Sequence, residues 1–151
     1  MRVKNFMRTN FVTVSSDTPI KRLNQLLHQF NIRYVLVTEK DDELIGIITY
    51  TDLFRHLLPS YVEFLTHADE NILFPENIEE HVLALINKPV REIMTKEPET
   101  VKPEFPLIEA GALMLANKVK QLPVVEGDKL IGVISYTDIT WGLMIKNCKY
   151  F

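Results

Sequence analysis

Hydrophobic and polar positions along the chain follow two rhythms that take turns. Phe11-Val12-Thr13-Val14 is a short β-favouring run, and apolar, β-branched runs return at Tyr34 to Thr38 and Leu44 to Thr49. These predict strands. Between the first two, Ile20, Leu23, Leu26, Leu27 and Phe30 fall on one face at helical spacing. That helix is expected to begin at Thr18-Pro19, with Thr18 as N-cap and Pro19 in the first turn, where its missing N–H costs nothing. The charged stretch Lys40-Asp41-Asp42-Glu43 separates the later strands and predicts a hairpin. A second helix should start near Thr51-Asp52, either of which could cap it. The order is strand, helix, strand, strand, helix.

The whole pattern then occurs again. Leu44-Ile45-Gly46-Ile47-Ile48-Thr49-Tyr50-Thr51-Asp52 returns as Leu130-Ile131-Gly132-Val133-Ile134-Ser135-Tyr136-Thr137-Asp138. Val35-Leu36-Val37-Thr38-Glu39 matches Leu122-Pro123-Val124-Val125-Glu126, Thr13-Val14 matches Thr100-Val101, and Pro19 matches Pro106. The openings Val3-Lys4-Asn5-Phe6-Met7 and Val90-Arg91-Glu92-Ile93-Met94 correspond as well. Leu107, Ala110, Leu113 and Met114 mark the first helix of the second unit, whose hairpin turn shortens to Gly127-Asp128-Lys129. A period of this size is the mark of a repeat architecture.

Two repeats are therefore expected, at residues 1–57 and 89–146, joined by a segment at 58–88 that has no counterpart. The joining segment carries Glu63, Asp69, Glu70, Glu76, Glu79 and Glu80 and no Lys or Arg before Lys88. Pro59 and Pro75 punctuate it, and Ile78, Val82, Leu85 and Ile86 predict an amphipathic helix in its second half. Two roles are open to it: padding on the core, or a docking element for a partner.

Composition narrows the function classes. Of 151 residues, 46% are hydrophobic and 25% charged, as in ordinary globular proteins. A net charge of −3 argues against a nucleic-acid binder, which needs a basic excess to neutralise phosphates. An anionic ligand would have to be held by local donors. The single cysteine, Cys148, allows no intrachain disulfide and fits a cytoplasmic location. No apolar run approaches the roughly 20 residues of a membrane span, and the first residues are not a signal peptide. The expectation is a soluble protein.

The chemistry concentrates at the ends of the third strands, Thr49-Tyr50-Thr51-Asp52 and Ser135-Tyr136-Thr137-Asp138. An aspartate at a helix start can accept hydrogen bonds from both hydroxyls of a ribose. Neighbouring Thr or Ser hydroxyls, with free N–H groups of the first helical turn, can donate to phosphate. A Thr-Asp pair before a helix is also a common cap. Its duplication in register after a glycine and two apolar residues separates it from an ordinary one.

These motifs resemble the CBS family, named after cystathionine β-synthase. Its repeat ends in a glycine, two apolar residues, Thr or Ser, two further residues and Asp. The openings Val3…Met7 and Val90…Met94-Thr95, and the strand Leu122-Pro123-Val124-Val125-Glu126, are similar to the family's repeat start and middle strand. The resemblance implies an α/β fold of two β-α-β-β-α repeats packed about a pseudo-twofold axis, with two clefts. It implies that Asp52 with Thr49 and Thr51, and Asp138 with Ser135 and Thr137, bind ribose and phosphate. Residues that line the base or meet phosphate, sometimes from the opposite repeat, would be Thr13, Arg33, Tyr34 and Val35, and Thr100, Lys120, Gln121 and Leu122. Arg33 and Lys120 are open to two roles, phosphate contact or solvated surface charge. The implied ligand is adenosine-containing: AMP, ADP, ATP or S-adenosylmethionine. Repeat one departs from the family by carrying Leu36 where repeat two has Pro123.

No catalytic centre or metal site is expected. His28 sits among helical positions, and His56, His67 and His81 form no i, i+4 pair. No P-loop, GxGxxG or Ser–His–Asp order is present. With the sequence ending soon after Trp141, regulation is expected to act in trans on an effector protein. A homodimer paired through repeat helices is expected, since apolar helix faces must be buried somewhere. The competing function is a structural or oligomerisation module whose clefts hold no ligand.

Overall fold

The two rhythms become strands and helices in the predicted order, seen in a computed structural model that describes residues 1–58 and 78–147. The elements are β1 (Thr13–Val14), α1 (Ile20–Gln29), β2 (Tyr34–Thr38), β3 (Leu44–Thr49), α2 (Tyr50–Leu57), α3 (Ile78–Ile86), β4 (Thr95–Lys96), α4 (Leu107–Asn117), β5 (Gln121–Glu126), β6 (Lys129–Ser135) and α5 (Tyr136–Asn147). A single 3-10 turn opens each repeat, at Val3–Asn5 and Val90–Glu92. Among the described residues, no helix is long and apolar enough to cross a membrane.

Strands order as β1-β2-β3-β4 in one sheet and as the pair β5-β6 in another. β1 runs parallel to β2, with Thr13 opposite Leu36 and Val14 opposite Val37. β4 lies antiparallel to β3, Thr95 opposite Ile47 and Lys96 opposite Gly46. Repeat two keeps this plan with less regular pairing: Val101 bridges Val124 and Arg8 bridges Val133. Pro123 explains part of the difference. It has no N–H to donate, whereas its counterpart Leu36 does, so the parallel pairing narrows to one bridge. The turns differ too. Asp41 and Asp42 adopt φ of 57° and 59° in repeat one, while Gly127 alone, at φ 64°, serves the shorter turn of repeat two.

The chain divides into two compact units that do not follow the sequence repeats. One unit joins Met1–Val12 and Thr38–Ile45 to the chain from Glu97 onward; the other joins Thr13–Val37 to Gly46–Lys96. Each repeat's opening thus packs with the body of the other repeat. In the unit containing α4 and α5, Val3 is buried in a core of Val101, Leu107, Ala110, Met114, Leu122, Val124, Ile134 and Ile139, with Phe6 and Met7 against it. In the other unit, Val90 and Ile93 are buried, as are Ile20, Leu23, Leu27, Leu36, Ile48 and Leu53. Equivalent ion pairs tie down the openings, Lys4 with Glu104 and Arg91 with Asp17. Gly46 and Gly132 provide the close approach. A β-carbon on Gly132 would lie 2.8 Å from Met7 Sδ and 3.1 Å from the Arg8 carbonyl oxygen; on Gly46 it would lie 2.6 Å from Met94 Sδ and 3.0 Å from the Thr95 carbonyl oxygen.

These openings also correct the expected helix start. Thr18 does not cap α1. Pro19 is the N-cap, in an extended conformation, and no side chain caps the helix. The Ile20 N–H donates instead to the Lys88 carbonyl (2.9 Å), and the Val90 N–H to the Thr18 carbonyl (2.9 Å). At α4, Pro106 is the N-cap and the Leu107 N–H donates to the Met1 carbonyl (3.1 Å). Backbone from the partner repeat supplies the acceptor that a side chain was expected to supply. Phe30, placed on the apolar face by spacing, is the C-cap of α1 and 54% exposed.

The expected linker helix is α3. Leu85 is buried, Ile78, Val82 and Ile86 are half-buried, and the helix packs against α1 and α2. Pro59, Glu63, His67, Asp69, Glu70, Pro75, Glu76 and Cys148 lie outside the described residues. His28 is exposed, and His81 makes a hydrogen bond of 2.6 Å through its Nε2 to the His56 carbonyl.

Candidate functional site

Both hydroxyl-rich strand ends form capping boxes. The N-cap of α2 is Thr49, two residues before the expected start. The Thr49 N–H (2.9 Å) and hydroxyl (2.8 Å) both donate to Asp52 Oδ2, and the Asp52 N–H donates back to Thr49 Oγ1 (3.1 Å). Repeat two does the same. The Ser135 N–H (3.0 Å) and hydroxyl (2.5 Å) donate to Asp138 Oδ2, and the Asp138 N–H donates to Ser135 Oγ (3.3 Å). The signal was present as Thr/Ser-x-x-Asp, a short-chain version of the capping box. It was obscured because Thr51 and Asp52 are themselves good cap residues.

The Tyr50 N–H is taken by the Arg33 carbonyl (2.9 Å) and the Tyr136 N–H by the Lys120 carbonyl (3.0 Å). With the amides of Thr49, Asp52, Ser135 and Asp138 used in the boxes, the amides of Thr51 and Thr137 remain as the first-turn donors without an acceptor among the described residues. The expectation of several free N–H groups is thus corrected to one per helix. Thr51 and Thr137 are exposed, and Thr137 Oγ1 lies 2.7 Å from Ser135 Oγ. Each helix start therefore offers one amide, the hydroxyl of Thr51 or Thr137 and a carboxylate, the Thr49 and Ser135 hydroxyl protons being committed to the boxes.

The Arg33 and Lys120 carbonyls also bring these basic residues, both exposed, beside the helix starts. Tyr34 and Gln121, next along, are half-buried. Val35 and Leu122 are 0% and 1% exposed, so their side chains belong to the core. Thr13 is exposed on β1 and pairs with Leu36; Thr100 is half-buried just before the Val101 bridge. One group was missed altogether: Arg8 Nε and Nη2 both lie 2.8 Å from Asp138 Oδ1. The Asp138 side chain is 10% exposed and that of Arg8 61%. Its distance of 130 positions hid this contact, although the repeat alignment places a cation, Arg8, opposite the neutral Thr95.

Comparison with known proteins agrees with the duplicated repeat. The CBS domain family profile matches residues 3–59 and 90–144. A CBS domain-containing protein of Dictyostelium discoideum is 30% identical over 145 residues, covering 95% of this chain and 91% of its own. Among solved structures, CBSX2 of Arabidopsis thaliana in complex with AMP superposes with a TM-score of 0.72 at 25% identity, covering 97% of this chain and 98% of that one. A CBS domain pair in complex with 5′-methylthioadenosine and S-adenosyl-L-methionine gives a TM-score of 0.70 at 21% identity, covering 97% and 98%. With its two α/β repeats, each closing on the same Thr/Ser-x-x-Asp box, the chain belongs to the CBS domain family as a tandem pair.

Proposed function

We propose that this CBS pair, with repeats at residues 1–57 and 89–146, is a regulatory sensor for an adenosine-containing ligand, AMP, ADP, ATP or S-adenosylmethionine, and performs no catalysis. The observation that carries this is the duplicated helix start. Each capping box uses one carboxylate oxygen, Oδ2, and leaves an exposed Thr hydroxyl and one first-turn amide, at Thr51 and at Thr137. In this assignment Asp52 and Asp138 accept from ribose hydroxyls through Oδ1. The hydroxyl of Thr51, or of Thr137, holds phosphate with the free amide, and those of Thr49 and Ser135 join it on turning away from the capping boxes that now hold their protons. Arg33 and Lys120 lie close enough in the chain to contribute charge. Support comes from the AMP complex of CBSX2 and the adenosyl complexes of another CBS pair. Thermal denaturation against each candidate is the test. Ligand at 100 times its dissociation constant should add about 2.7 kcal/mol of stability; no shift with any adenosine compound would refute the proposal.

The same protein would act in trans on an effector, from the cytoplasm, as a homodimer. The pairing surface we propose lies on α4 and α5, where Ile108, Leu115, Trp141 and Met144 are 57–83% exposed. Apolar side chains so exposed on neighbouring helices favour burial against a second copy.

A further inference from the structure

Resting on the ligand class proposed above, we propose that Arg8 is a positioning residue that makes the Asp138 site selective for phosphorylated over uncharged adenosine ligands, and that the Asp52 site lacks this selectivity. The two aspartates are used alike at Oδ2 and differently at Oδ1. Among the described residues Asp52 Oδ1 has no hydrogen-bond or ion-pair partner, whereas Asp138 Oδ1 is held by two nitrogens of the Arg8 guanidinium at 2.8 Å. The position that matches Arg8 in the other copy is Thr95, on β4, which carries no charge. One site has a resident cation and the other does not.

A ribose diol can dock on Asp138 Oδ1 only when Arg8 gives up that oxygen. An uncharged nucleoside offers the guanidinium nothing in return, so its binding is opposed by the lost ion pair. A phosphorylated ligand offers an anion that guanidinium recognises well, and the planar donor fork can exchange carboxylate for phosphate. The side chain is 61% exposed and tethered at the Arg8–Val133 bridge, so it can swing while its backbone stays fixed. Arg8 thus opposes the binding of adenosine and favours that of AMP.

Calorimetric titration of the full chain with AMP and with adenosine tests this. Asp52→Asn, which keeps an acceptor for the α2 cap, silences the other site. In that background Arg8→Gln should lower the preference for AMP over adenosine roughly tenfold, chiefly by tightening adenosine, which no longer has to displace the ion pair. Arg8→Lys should restore part of the preference for AMP. In an Asp138→Asn background, Arg8→Gln should leave the ratio of the two affinities unchanged. Equal weakening of both ligands by Arg8→Gln, or an unaltered ratio in the Asp52→Asn background, would overturn the role of Arg8 while leaving the ligand class intact. Failure of the wild-type chain to bind either probe would remove the ligand class and this role together.

Discussion

Replacing Asp52 by asparagine should separate the two tasks assigned to that side chain. The cap depends on Oδ2, which accepts from the Thr49 N–H at 2.9 Å and the Thr49 hydroxyl at 2.8 Å. An amide oxygen can take both bonds in the same position, and the donors fix which way the amide faces. The Oδ1 position then becomes an NH2 group, which donates and cannot accept from ribose hydroxyls. Hydrogen bonds to a charged group contribute about 1.5–3 kcal/mol each; with water replacing part of this, a net loss of about 2 kcal/mol is expected, roughly 30-fold in affinity. Folding should lose only about 0.5 kcal/mol. Asp52→Ala removes the return half of the capping box as well, while residue 52's N–H still donates to Thr49 Oγ1, costing about 1 kcal/mol and lowering Tm by about 2–4 °C in a chain of this size. AMP titration by calorimetry, paired with thermal denaturation, reads both quantities. If Asp52→Asn binds AMP with wild-type affinity and stoichiometry, Asp52 is a helix cap and nothing more.

Other outcomes follow from the packing. Thr49→Ala should cost about 1 kcal/mol, whereas Thr18→Ala, whose hydroxyl only meets Ser15 Oγ at 3.2 Å, should be nearly neutral; urea denaturation giving equal losses would contradict the cap assignment. Gly132→Ala should cost about 1–3 kcal/mol by overpacking against Met7 and the Arg8 carbonyl. Adding Met7→Ala should relieve part of the clash, and a Gly132→Ala chain of wild-type stability would refute the close approach. Leu115→Glu, at an 83% exposed position, should leave Tm of the monomer unchanged but halve the mass seen by light scattering. A wild-type chain that is monomeric at micromolar concentration would dispose of the dimer.

Most of the fold was legible because it is written twice. β2, β3, α1 and their counterparts stand on periodic apolar positions, and the register of the two copies fixed which residues correspond. What stayed hidden depended on partners distant in sequence. β4 is two residues long, Thr95–Lys96, and becomes a strand only because β3 lies beside it. Pro19 and Pro106 became caps because backbone distant in sequence supplies carbonyls, at Lys88 just before the second repeat and at Met1. Within the site, Asp52 and Asp138 were found from their spacing after Gly46 and Gly132, while the count of free amides needed the Arg33 and Lys120 carbonyls. Charge could locate Arg8 in the sequence, but only folding brings it to Asp138.

The crossed openings have a consequence for how the chain is made. A ribosome releases residues in order, roughly 5–20 each second. Residues 13–96 include everything that one compact unit draws on, so that unit can close while synthesis continues. Met1–Val12 emerge before that unit, and their neighbours from Glu97 onward emerge after it. Residues 1–12 must wait for α5, with Val3, Phe6 and Met7 lacking their full core until Ile139 is made. A chaperone that shields this early segment would therefore matter more here than in a protein whose repeats fold in sequence. Disruption of α5 should be felt at Phe6, whose ring lies against Gly142.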